Sequence, residues 1–482
     1  MRKILMIFFC VPFMFSCVEV DLLDSSELNP AIEAVDTVTT VHSSSDGAGF
    51  YSFLGFGYDA TKTYFNGSKN TRRMVVDVNR IACSNPCRIT INKSQGQFSN
   101  YEVGTTCTDL LKSLSSDFDV HVNYRDASYG CKFEGEIESS YGSSKLISTR
   151  NSYAFYERLF LKKSITLNYT VDSLVNYLTT NFKEDIAVLT GDQIVSLYGT
   201  HVLTSIKIGG KVKINYKSTV LSSNKTETVT AGLSASIAKV ISGISANIIS
   251  SSSLAENNSK EYLHFKLIGG DSLLHVEEAY DMSKISNPMI NLSSWISTID
   301  ENPVLIGSGE ILIPIYEFIT DPQKKIEVRN SFNSYFETSR IYDVDPLYHY
   351  HKTNGHHFFT TDWTELGNGM SGWNYEGVSC FVLPVESTFG TSGIPLYRYY
   401  KPNTGDHYLT TNWGELGNGA SGYRFEKVQC NVLPNQLQGS VPLYRYWSNN
   451  KHDHFYTLSK RDYNDYAYEC IVGYVFDPSG VN

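Results

Sequence analysis

The sequence predicts an α+β protein, with a mixed body at residues 41–330, a linker at 331–345 and an all-β domain of three pseudo-symmetric repeats at 346–482. Three observations predict it. A turn-like Tyr198-Gly199-Thr200-His201 opens a β-branched run that Gly209-Gly210 closes. A glycine pair inside a strand allows a bend or a close approach of another backbone. Segments of strand period and of helix period are interspersed on both sides of that run. From residue 346 onward one motif, Pro-Leu-Tyr-x-Tyr, recurs three times.

The 482 residues allow two or three domains, and 41% hydrophobic residues suffice for a sizeable core. A net charge of −10 argues against nucleic acid as the main partner. It also argues against broad attraction to anionic lipid, so membrane targeting would use a specific receptor.

Taken in order, the chain begins with a targeting segment. Arg2 and Lys3 precede the apolar core Ile4–Phe15, which is too short to span a bilayer as a mature helix. Phe15-Ser16-Cys17 is similar to a bacterial lipobox, which makes 1–17 a lipoprotein signal peptide and Cys17 the lipidated first residue of the mature chain. An ordinary secretory signal is the alternative. Residues 18–40 are polar and acidic and read as a flexible tether. The protein is therefore expected to be exported, as an outer-membrane surface lipoprotein, a secreted protein, or both. In an oxidising compartment Cys83 and Cys87 are disulfide candidates for a small loop, which leaves Cys107 to Cys131. A zinc site needs two matching Cys pairs and finds one, so no metal is assigned.

Phe50–Ala60 reads as a glycine-punctuated strand. Cys131–Tyr141 is the clearest strand of the chain. Glu134, Glu136 and Glu138 alternate there with Phe133, Gly135 and Ile137. Val171–Leu178 and Asp185–Leu197 look helical, with Thr190 or Asp192 as a cap. After Lys211–Tyr216, a strand, residues 217–260 turn Ser-, Thr- and Asn-rich. Leu233, Ile237, Val240, Ile241, Ile244 and Ile248 form a helical stripe there, although Leu233–Ile237 also alternates. Glu261–Ile268 is a strand ended by Gly269-Gly270, and 320–345 is a polar boundary.

The repeats begin at Pro346, Pro395 and Pro442, and each continues into a His-aromatic run at His357, His407 or His454. One unit alone cannot bury its apolar face, so three units imply three-fold pseudo-symmetry, as in a β-prism or, alternatively, a β-trefoil. The recurring histidines read as repeat packing rather than as a metal site on the axis. Trp363, Trp413, Tyr399 and Tyr446 suit sugar stacking and are receptor-binding candidates, or else core residues.

Tyr198, Gly199, Thr200 and His201, the six-residue gap Leu203–Ile208, and Gly209 with Gly210 resemble the signature of the membrane-attack-complex/perforin (MACPF) family. Val202 stands where an aromatic is usual. Leu54–Asp59 and Pro314–Glu317 are similar to the family's first and last strands, and the resemblance covers about residues 45–330. Within the family, the chain resembles the antimicrobial MACPF lipoproteins that gut Bacteroidales secrete.

The resemblance implies a bent, twisted antiparallel sheet flanked by two helical clusters. On oligomerisation each cluster unfurls into a β-hairpin, and many hairpins close a transmembrane barrel. Residues 124–160 and 217–262 would then be the inserting hairpins. Phe133 and Ile137 would face lipid, and Glu134, Glu136 and Glu138 a cation-preferring lumen. Leu233, Ile237, Val240, Ile241, Ile244 and Ile248 would serve the second hairpin. His201 is implied to pack at the bend, and no catalytic residue and no cofactor is assigned. The implied partners are a target membrane, further copies of the chain in a ring assembled from soluble monomers, and a surface glycan or outer-membrane protein. A non-lytic adhesin using the same fold as a scaffold is the alternative.

Overall fold

A computed structural model describes residues 51–119, 133–141, 146–220, 224–242, 248, 252–285, 290–309, 312–385, 393–437 and 439–480. The signal peptide, Cys17, the tether, Cys131 and Ile244 lie outside the described residues, as does the side chain of Glu134.

Four antiparallel strands form the centre: β1 (Gly96–Gly104), β2 (Asn151–Leu167), β3 (Ser205–Val220) and β4 (Asn258–Ile268), in the order β4-β3-β2-β1. Their β-branched and aromatic content suits strands. The flanks of β2 and β3 change partway along. Ile89–Asn92 takes over beside β2, and Val304–Gly307 pairs with β3 only as far as Gly209, whereas β4 pairs from Lys211 onward. At the same level β2 slips register between Leu161 and Lys163, opposite Gly209 and Ile208. A bulge bends and twists its strand, so the expected bend at Gly209-Gly210 has a local cause.

The glycines there are steric requirements. A Cβ on Gly209 would lie 2.0 Å from the Phe160 carbonyl oxygen, and one on Gly210 would lie 2.6 Å from Ile299 Cδ1. The second pair packs against the first: a Cβ on Gly269 would lie 2.9 Å from the Gly209 carbonyl oxygen. Trp295 closes this contact by donating its indole N–H to Gly269 at 2.7 Å.

Four helices bear on function: α1 (Cys107–Asp119), α2 (Glu134–Tyr141), α3 (Lys225–Val240) and α4 (Pro322–Ser339). The expected strand at 131–141 is corrected to a helix from Glu134. Phe133 and Ile137, four residues apart, both bury in the core, which helical spacing allows. The helical stripe at Leu233, Ile237 and Val240 is realised in α3, but the helix ends there and Ile241 starts a two-residue strand. Ile248 is partly buried. The single helix expected at Asp185–Leu197 is two, Thr180–Val188 and Gly191–Tyr198. The second is capped by Thr190 with a reciprocal Gln193. The expected linker 331–345 is instead the end of α4 and the start of a strand at Tyr342. Val328, Phe332 and Phe336 of α4 are buried in the body, which is why this polar-looking stretch is ordered. Cys83 and Cys87 are exposed free thiols, in a helix end and the turn after it, so the expected small disulfide loop is not formed.

Each carboxy-terminal repeat is a three-stranded antiparallel sheet, built on Tyr342–His351, Ile394–Lys401 and Ser440–Ser448. The sheets touch cyclically through Phe381 with Phe476, Leu383 with Asn431, and Leu433 with Tyr474. They do not close into a barrel, which favours the prism over the trefoil. Leu347, Leu396 and Leu443 of the repeated motif meet in one buried cluster.

Candidate membrane-inserting segments and their anchors

Two inserts interrupt the central sheet. Residues 105–150 connect β1 to β2, and residues 221–257 connect β3 to β4. Both leave the same end of the sheet, because Gly104 pairs with Tyr153, Asn151 with Thr219, and Asn258 with Val220. The segments expected at 124–160 and 217–262 are corrected accordingly. Residues 151–160, 217–220 and 258–262 are already sheet, and the first insert starts at 105 and includes α1.

The sheet separates the inserts by its two-residue period. Val212, Ile214 and Tyr216 face α3, where Val229, Leu233, Ile237 and Val240 cover them. Lys211, Lys213 and Asn215 face the other way. There Glu136 of α2 accepts from Lys213 at 2.7 Å, from Asn215 at 2.6 Å and from the Tyr64 amide at 2.9 Å. Burial pushes the Glu136 carboxyl up, but Lys213 and the hydrogen bonds outweigh it and hold the group below its ordinary value. Beside this pair Lys211 meets Glu157 at 3.3 Å, and burial lowers the lysine to about 8. Glu138 is half-buried and borders a small polar cavity with Lys62 and Tyr335.

Polar groups also hold α3. Glu261 of β4 accepts from Tyr216 at 2.8 Å and from Ser236 at 3.2 Å, and Asn258 donates to the Thr228 carbonyl at 2.8 Å. A Cβ on Gly232 would lie 2.2 Å from the Tyr216 hydroxyl, so α3 rests directly on the sheet.

The signature residues form a junction behind the bend. Tyr198 is buried, donates to Asp185 at 2.7 Å and packs edge-on to Phe182. Gly199 has φ 79°, and a Cβ there would meet the Tyr58 carbonyl at 2.7 Å. The Thr200 hydroxyl accepts from the Ala60 amide at 2.9 Å and donates to the Tyr58 carbonyl at 3.1 Å. His201 lies against Phe332 and Phe336 of α4, and burial lowers its pKa to about 3, so the ring is neutral. Val202, at the usual aromatic position, is buried.

The carboxy-terminal domain grips the first insert, which no sequence motif signals. Leu146–Ser148 pairs in parallel with Tyr342–Val344. Asp343 accepts from the amides of Cys107 and Thr108 at 3.2 and 3.1 Å, so it caps α1 from 236 residues away in sequence. Thr149 hydrogen-bonds Asp345, and the Arg150 guanidinium lies over the rings of Tyr348 and Trp363.

Of the four aromatic receptor candidates, Trp413 is 39% exposed and Trp363 lies partly under Arg150. Tyr399 and Tyr446 are corrected to core residues. Both are buried and donate to backbone carbonyls, of Gly417 and Arg461. His454 pairs with Asp406 at 2.7 Å, His357 packs at a tilt against Phe455, and His407 lies edge-on to Phe358. Among the described residues no group of three or more His, Cys, Asp or Glu is arranged for a metal, and no helix is long and apolar enough to cross a membrane.

Comparison with known families agrees with this architecture. Residues 45–343 match the MAC/Perforin domain, and residues 346–476 match a domain of unknown function, DUF5648. No curated protein matches the chain. Among solved structures, a MAC/Perforin-domain protein of Bacteroides thetaiotaomicron is 15% identical, with a TM-score of 0.47. That match covers 65% of this chain and 66% of the other, just under two thirds of its length. GNIP1Aa of Chromobacterium piscinae is 13% identical with a TM-score of 0.46, covering 89% of this chain and 82% of the other.

Proposed function

The chain belongs to the MAC/Perforin family, a family of perforin-like pore formers, and from that premise we propose that it is an exported pore-forming protein acting on the membranes of related bacteria. Its soluble form holds α1 and α2 of the first insert and α3 of the second against the sheet. On a target membrane, copies assemble side by side, the inserts leave the sheet, and each extends as a β-hairpin. The lipidated Cys17 would tether the exported chain, and the carboxy-terminal domain would recognise a surface glycan or outer-membrane protein.

One observation carries the reading: both inserts join hydrogen-bonded neighbouring strands and leave the sheet at the same end. Unfurled, they would prolong four strands already in register. A bilayer crossing needs about 9–11 residues per strand, and each insert supplies enough for two. Isolated strands are not stable in lipid, so insertion requires closure of a ring. In an extended first hairpin, Glu134, Glu136 and Glu138 would share the lumenal face and favour cations.

Dye release from liposomes and from candidate target cells tests this reading, with ring formation followed by electron microscopy. Release together with cation-selective conductance is expected. Binding without release would assign the protein to non-lytic adhesion instead.

A further inference from the structure

The three repeats place the same aromatic cluster at the same position, and they fill it differently. In the first repeat Tyr348, Trp363 and Tyr375 have ring centroids 4.9, 5.1 and 6.1 Å apart. In the second, Tyr397, Trp413 and Phe425 repeat this geometry at 4.9, 5.2 and 6.3 Å. In the third, Tyr444 and Tyr468 keep the long separation at 6.2 Å, but Lys460 stands at the tryptophan position. The alignment is fixed by Thr360, Thr410 and Thr457, each three residues upstream of that position.

Two of the three clusters already carry a cation. Arg150, from the first insert, lies 5.1 Å over Tyr348 and 5.9 Å over Trp363. Lys460 places its own ammonium 4.5 Å over Tyr468. In the second repeat no cation of the described residues lies over Tyr397 or Trp413. There Trp413 is 39% exposed and Tyr397 is partly buried, whereas Tyr348, the counterpart of Tyr397 under Arg150, is buried. Ring faces attract cations through their quadrupole, most strongly at tryptophan.

We propose that the Tyr397–Trp413–Phe425 cluster is a receptor site for a cationic group supplied from outside the chain, a guanidinium or an alkylammonium. The first cluster, whose Tyr–Trp pair carries the Arg150 guanidinium, defines the chemistry, and the second presents the equivalent Tyr397–Trp413 pair with no cation of the described residues over it. The site deepens the recognition role proposed for this domain and rests on that reading. It does not depend on membrane insertion, so a binding measurement separates the two.

The test is saturation-transfer NMR on the full chain with three small probes: agmatine, phosphocholine and methyl α-mannoside. Saturable transfer to at least one cation is expected, weakened by roughly tenfold in W413A. W413K recreates the self-filled third cluster and should abolish it. Transfer to agmatine alone points to an arginine or lysine side chain of a protein partner, and transfer to phosphocholine alone to a lipid or glycan head group. Both support the site. Transfer to neither cation, binding unchanged in W413K, or Trp413-dependent transfer to the neutral sugar alone would overturn it.

Discussion

Glu136 and Lys213 form a fully buried ion pair at 2.7 Å that ties the first insert to the central sheet. Asn215 and the Tyr64 amide complete the carboxylate's hydrogen bonds. Replacing one partner of a buried pair strands the other charge, at a cost of about 3–5 kcal/mol. Glu136→Ala should therefore destabilise the folded protein by that order in chemical denaturation. The double variant Glu136→Leu/Lys213→Met should recover most of the loss, because no lone charge remains. In release assays the single variant should act faster at low protein concentration. An unchanged denaturation midpoint would remove the pair from the mechanism.

The second insert offers a reversible lock. Ser236 of α3 reaches Glu261 of β4 at 3.2 Å. A cysteine pair at these two positions, joined by a short spacer that carries a disulfide and is cleaved on reduction, would tether α3 to the sheet in its intact, oxidised state. Dye release should fall to background in the oxidised protein and return on reduction, while binding to target cells stays constant. Equal release from oxidised and reduced protein would show that the helix need not leave.

The glycine pair meets backbone on one side and a buried side chain on the other. A Cβ on Gly209 would press on the Phe160 backbone oxygen at 2.0 Å, whereas on Gly210 it would meet Cδ1, Cγ1 and Cγ2 of the buried Ile299 at 2.6–3.1 Å. A buried isoleucine can give by a few tenths of an ångström, and a hydrogen-bonded strand backbone gives less. Overpacking of this sort costs typically 1–3 kcal/mol. Gly209→Ala should sit at or above the top of that range and Gly210→Ala near the bottom, as read from thermal melts. Equal costs would mean that the bend accommodates both.

The junction at the bend was legible in the sequence because its requirements are steric and local. Gly199, Gly209 and Gly210 each stand where a Cβ collides with backbone or a packed side chain. The repeats were legible because Leu347, Leu396 and Leu443 must bury together. Segment 131–141 was not. Its alternation fits a strand, but Phe133 and Ile137 are also four apart, and the helix wins through Lys213, which is remote in sequence. The clamp by Asp343 and Arg150 was invisible for the same reason: a helix cap supplied from 236 residues away has no local pattern. Tyr399 and Tyr446 look like binding residues by composition. They are buried because their hydroxyls find carbonyls inside the repeat.

One seam between repeats is acid-sensitive by its chemistry. At equivalent positions the second and third repeats use arginine: Arg398 meets Glu426 and Arg445 meets Glu469, each at 2.7 Å. The first repeat has His349 instead, whose Nε2 lies 2.8 Å from Nδ1 of His357. Phe359 stacks on His349, Phe455 packs at a tilt against His357, and Lys451 adds positive charge nearby. Burial lowers His349 to about 4, and burial with the neighbouring charges lowers His357 to about 2. Their unfolded value is about 6.5. The folded form thus refuses protons that the unfolded chain accepts, so the stability is fully present above about pH 6.5 and is lost as pH falls toward 4. At pH 5 the loss from His349 alone is on the order of 2 kcal/mol. Asp453, which accepts from the His357 amide and is raised to about 8 by burial, acts with the opposite sign, so the histidine contribution is read as the change in the pH slope of melting temperature between pH 7 and pH 5 on substituting His349. His349→Arg, placed to meet Glu376 as its counterparts meet Glu426 and Glu469, should flatten that dependence. An unchanged slope in this variant would assign the acid sensitivity to another part of the chain.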